Sequence, residues 1–123
     1  MPIAAMTIEL RIEHAHSLKD RRQVVRSLKE KLSHGFNISI AELDEAVTWQ
    51  SATIGIAAIS ASRDYLSGQM QQLEHAANRI VNDLGAQIAD IWWQFLEDGG
   101  EAGGSQPLFS HPLLSYFLIS SNV

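Results

Sequence analysis

The sequence predicts an α+β domain: a four-stranded antiparallel sheet with two helices on one face, in the order strand, helix, strand, strand, helix, strand. Three observations carry this. Two segments repeat apolar residues in helical steps, four others read as strands by alternation or by β-rich apolar composition, and Ser and Gly punctuate the helix ends. Right-handed crossovers would put both helices on the same side, which gives the split βαβ, ferredoxin-like arrangement.

The first strand is Met6 to Ile12, where Met6, Ile8, Leu10 and Ile12 alternate with Thr7, Glu9 and Arg11. Ser17 can then cap a helix, with Asp20 near the positive end of its dipole. Leu18, Val24, Val25, Leu28 and Leu32 form its inward stripe, and Gly35 is its expected stop. Phe36 to Leu43 reads as the second strand, with Phe36, Ile38 and Ile40 on one face. A polar connection, Asp44 to Ser51, holds Trp49 and leads to the third strand, Ala52 to Ser60, which is apolar enough to be central.

Ser60 or Ser62 caps the second helix, whose inward positions Leu66, Met70, Leu73, Ala77, Ile80 and Leu84 precede a stop at Gly85. Gly68, inside that helix, is expected to permit close packing. Ala86 to Leu96 is the fourth strand, with Ala89, Ile91, Trp93 and Phe95 on one face and Asp90, Trp92 and Gln94 on the other. Trp92 and Trp93 therefore point to opposite sides of the sheet. The face away from the helices would carry Thr7, Glu9, Arg11, Asn37, Ser39, Asp90, Trp92 and Gln94.

This folded unit spans residues 1–96. Residues 97–106 hold four of the eight glycines and read as a linker, spanning about 17 to 19 Å as a random coil. Residues 107–123 form an apolar tail, and no residue from Ala102 onward is charged. The tail is expected either to dock on the open sheet face or on a second subunit, as an added strand or short helix, or to be a disordered extension.

Composition bounds function mainly by exclusion. With no cysteine, disulfides, thiolate metal sites and cysteine nucleophiles are ruled out. No run of 18 apolar residues and no secretory leader is evident, so a cytoplasmic, non-membrane protein is expected. Neither a nucleophile elbow, a phosphate-binding glycine loop nor a dinucleotide fingerprint occurs, and no enzyme activity or cofactor is expected. Glu13, His14 and His16 are the best metal candidates but lack a further spaced ligand, so no metal site is assigned.

Charge is distributed unevenly. Net charge is −5, yet six of the nine Lys and Arg residues fall within residues 16–35, a stretch of +4, which leaves −9 elsewhere. Lys19, Arg22, Arg26 and Lys29 share the outward side of the first helix, and together with Arg21 they are the candidate nucleic-acid contacts, acting on phosphates. The sheet face lacks the aromatic platform on which RNA-recognition modules stack bases. Trp49, Gln50 and Trp92 are the candidate interaction surface.

Several motifs occur in order: His16-Ser17-Leu18-Lys19-Asp20-Arg21-Arg22, Phe36-Asn37-Ile38-Ser39-Ile40-Ala41-Glu42 and Trp49-Gln50-Ser51-Ala52-Thr53-Ile54-Gly55. In these the chain closely resembles the YlxP-like family of small bacterial proteins of unknown function, from about Met6 to Phe95. The resemblance implies a ferredoxin-like domain. It also implies a ribosome- or RNA-associated role, because members are commonly encoded near translation and ribosome-maturation factors. It supplies no catalytic residues. The expected function is thus a non-enzymatic ribosome- or RNA-associated accessory factor. The alternative is a self-associating interaction module, a homodimer through the open sheet face or the tail.

Overall fold

A computed structural model describes residues 1–44 and 48–96. The linker and tail expected beyond residue 96 lie outside the described residues. The elements are β1 (Ile3–Arg11), α1 (Leu18–Gly35), β2 (Ser39–Glu42), β3 (Ser51–Ile59), α2 (Arg63–Asp83) and β4 (Gln87–Phe95). All strand pairs are antiparallel, and the sheet order is β2-β3-β1-β4. The fold is therefore the ferredoxin-like α+β arrangement.

One core lies between the helices and the sheet. From the sheet, Met6, Ile8, Leu10 and Ile12 of the first strand and its exit meet Ile54 and Ile56 of β3. From the helices come Val24, Val25, Leu28 and Leu32 of α1 and Leu66, Met70, Leu73 and Val81 of α2. Burial of these branched and long aliphatic side chains is the main drive for the two-layer packing. Trp93 joins this core and meets Phe95 edge to face, centroids 5.4 Å apart, while Trp92 on the opposite face is 42% exposed. The tryptophan pair divides between the faces as the strand period requires.

Both helices begin on a serine cap. The Ser17 hydroxyl accepts from the Asp20 amide at 3.2 Å, and the Ser62 hydroxyl accepts from the Tyr65 amide at 3.1 Å. Their ends differ. Beyond α2, Gly85 takes a positive φ of 78°, its amide donates to Asn82, and the Ala86 amide donates to Val81, which closes the last carbonyls in a Schellman turn. Gly35 has no positive φ, and α1 stops because Phe36 turns extended at φ −142°.

Four sequence expectations are corrected. The second strand is shorter than expected, Ser39–Glu42, although Phe36 and Ile38 still pack on the core. Leu18 is 43% exposed because it sits on the flank of the first turn, and Arg21 takes the buried place. In β4 a bulge shifts the register: Glu9 pairs with Asp90 and Leu10 with Ile88, so Ile88, not Ala89, faces the core. Finally, a Cβ on Gly68 would meet nothing within 4 Å, so this glycine serves no close packing.

Gly55 is the glycine that does mark a close approach. A Cβ there would stand 2.7 Å from Leu43 Cδ1 and 2.9 Å from its Cγ. Gly55→Val is expected to cost about 1–3 kcal/mol of stability by overpacking, partly recovered when Leu43→Ala is added. Gly68→Ala should instead stabilise by about 0.5–1 kcal/mol through lower unfolded-state entropy and better helix propensity. Urea unfolding midpoints check both.

Candidate nucleic-acid interface

The site is built on the outward flank of α1 and on what ties that helix to the sheet edge. Glycine-free for 17 residues and capped at Ser17, α1 presents residues three and four apart on common faces. Arg21 belongs to the inward set. Its side chain is 3% exposed: Nη1 donates to both carboxylate oxygens of Glu42 at 3.1 and 2.9 Å, Nη2 to Asp44 at 3.1 Å, and Nε to the Ser51 carbonyl at 2.9 Å. A buried guanidinium is tolerated because its donors are matched by two carboxylates and a carbonyl.

This arrangement removes Arg21 from the candidate phosphate contacts, because its donors are committed inside the protein. It also fixes where the others lie. Beside the clamp a groove of about 440 Å³ runs between α1 and the edge strand β2, lined by Arg22, Arg26, Lys29, Glu30, Val25 and Leu18 together with the Arg21–Glu42 pair. With that pair neutralised internally, three cations face Glu30. Among the described residues, Arg22, Arg26 and Lys29 make no ion pair. Lys19, exposed, continues the row toward the helix start.

The Trp49-Gln50 segment lies near the N-terminal end of α1. The Gln50 carbonyl accepts from the Ile12 amide at 2.8 Å, its side-chain amide donates to the Glu13 carbonyl at 3.3 Å, and Arg21 holds the neighbouring Ser51. Trp49 is 48% exposed. Trp92 sits on the other side of the sheet, paired across β1 with Thr7. The structure therefore puts the Trp49 segment by the start of the basic row, from which the row runs along α1, and places Trp92 on the far face of the sheet.

The histidine candidates do not gather a metal site. The His16 amide donates to Asp20 at 2.9 Å as part of the helix start, and His14 neighbours Gly85. Among the described residues no group of three His, Asp or Glu side chains is placed to share an ion. No described helix is long and apolar enough to cross a membrane.

Residues 3–92 match the family described as "Protein of unknown function (DUF503)". The chain belongs to that family. It is 37% identical over 62 residues to the uncharacterised protein YlxP of Bacillus subtilis (strain 168), covering 50% of this chain and 67% of that one. The resemblance to YlxP-like proteins is thereby established. Among solved structures the fold is similar to part of a Bacillus subtilis dinuclear metal-binding M20-family peptidase, YXEP, at TM-score 0.55 and 11% identity, covering 80% of this chain. A hydantoinase/carbamoylase-family amidase from Burkholderia ambifaria matches at TM-score 0.50 and 14% identity, also over 80% of this chain. The chain spans 28% and 30% of those two proteins, and at such identities the likeness shows the fold alone.

Arg21 is the important residue that the charge pattern of this DUF503 member conceals. A signal was present: Arg21 lies three and four residues before Val24 and Val25, on the inward stripe, and Glu42 continues the inward alternation of Ile38 and Ile40. Two opposite charges at inward positions announce a buried pair. Arg21→Ala is expected to lose about 1–3 kcal/mol of stability, since Glu42 and Asp44 keep partial access to water, whereas Arg22→Ala should stay within about 0.5 kcal/mol of the parent. Equilibrium urea unfolding of the two variants measures the contrast.

Proposed function

We propose that this protein is a cytoplasmic, non-catalytic accessory factor that associates with the ribosome or its RNA through the outward flank of α1. The observation that supports the reading is the groove beside β2, in which Arg22, Arg26 and Lys29 stand without ion-pair partners among the described residues, on a chain of net charge −5. Cations left unpaired in one concave strip suit a polyanionic backbone, which they bind by displacing its counterions. Lys19 extends the strip, and Trp49 stands exposed near the helix start, where it can pack against a nucleotide.

The sheet argues for the helix as the contact. On the face away from the helices, β1 carries Ala5, Thr7, Glu9 and Arg11, and β3 carries Thr53, Gly55, Ala57 and Ile59, so its centre has no ring on which a base could stack. Binding would then be governed by phosphate neutralisation and would carry little base specificity.

Cosedimentation with purified ribosomal subunits over a series of salt concentrations tests the reading. The parent is expected to bind with a strong salt dependence. The combined Arg22→Glu and Arg26→Glu variant should lose binding at moderate salt, and the milder Arg22→Ala and Arg26→Ala pair should lower the log–log salt slope by about 1.4 to 1.8, the range for two phosphate contacts. Parent-level binding by the charge-reversed variant would overturn the proposal.

A further inference from the structure

Ala5 and Thr7 lie on the face of β1 turned away from both helices, yet Ala5 is 0% and Thr7 5% exposed. In a two-layer fold that face of an antiparallel sheet ordinarily meets water and carries polar side chains. Here the rows across the sheet are Ala41, Gly55, Thr7 and Trp92, then Ser39, Ala57, Ala5 and Gln94. The middle of the face is small and largely apolar, and Leu43 leans over Gly55 at one side. Ile3, Leu43 and Leu96 pack around Ala5 as a second apolar cluster, distinct from the main core.

Leu96 is also where the described chain leaves the sheet. Its amide donates to the Ile3 carbonyl at 2.7 Å, and its side chain belongs to that second cluster. The glycine-containing stretch 97–106 follows, and then Leu108, Phe109, Leu113, Leu114, Phe117 and Ile119, with no charge from Ala102 onward. We propose that residues 107–119 of the same chain fold back over this face and cover Ala5, Thr7, Gly55 and Ala57.

Reach and concentration favour this occupant. Gly55 lies two strands from β4, about 10 Å at ordinary strand spacing, within the roughly 17 to 19 Å that random-coil scaling gives for ten residues. A segment tethered this closely acts at an effective concentration in the millimolar range, so it outcompetes a second copy of the chain at ordinary protein concentrations. Small side chains in the centre of the face leave room for the large apolar ones of the tail.

The full chain contains no cysteine, so paired cysteines report the contact directly. Ala57→Cys, or its register neighbour Ser39→Cys, is combined with Ser115→Cys or Tyr116→Cys, adjacent tail positions that face opposite ways if the segment is extended. Under mild oxidation, an intrachain disulfide of monomer mass is expected with at least one tail position. The control His75→Cys, exposed on α2, should give none. Equal bonding to His75→Cys, no bond at either sheet position, or bonds found only between two chains would overturn the proposal, the last assigning the face to a second copy.

Discussion

The seating of α1 against the sheet edge depends on one buried ion-pair network. Arg21 joins the first turn of α1 to Glu42 at the end of β2, to Asp44 just beyond it, and to the Ser51 carbonyl at the start of β3. Taking a guanidinium out of water is costly, and the cost is offset only when its donors are matched with good geometry. Among the described residues no buried side-chain nitrogen or oxygen lacks a partner, so the match is made. An apolar residue of similar size could have filled the space, but it would not have fixed direction. The contact of Nη1 with both Glu42 oxygens ties α1 to the short edge strand, and the groove runs beside it.

The two faces of the sheet follow different rules. Toward the helices, Met6, Ile8, Leu10, Ile54 and Ile56 supply bulk that fills the space between layers. Away from them, Ala5, Thr7, Gly55 and Ala57 keep the surface low. A low apolar surface suits coverage by another segment and offers nothing for base stacking. On the proposed function, polar contact falls to the helix flank, where among the described residues Arg22, Arg26 and Lys29 make no ion pair.

Much of this was legible in the sequence, and the failures share a cause. Element order, the serine caps, the central position of the third strand and the division of Trp92 from Trp93 all come from local periodicity, which a single segment carries by itself. Arg21, Ala89 and Gly68 were misread because their meaning lies in another segment. Arg21 looks like part of a basic face until Glu42 is placed opposite it. Ala89 looks inward until pairing with β1 inserts a bulge between Asp90 and Ile88. Gly68 looks like a packing device until its surroundings prove open. The candidate site was half legible: the cations were visible, but not which of them the protein keeps for itself.

On the proposed function, that partition also bears on how an acidic protein would present a surface to phosphate. At physiological ionic strength, charges separated by more than about 8 Å are largely screened, so the net charge of −5 matters less than the immediate surroundings of each cation. Within the groove, Glu42 is occupied by Arg21, and among the described residues Glu30 is the remaining carboxylate beside Arg22, Arg26 and Lys29. Arg22 and Lys29 are two helical turns apart, about 10 Å of rise, so these cations act as a strip rather than a point. On the proposed function, the acidic remainder of the molecule would work to the same end, disfavouring contact with polyanions through other surfaces.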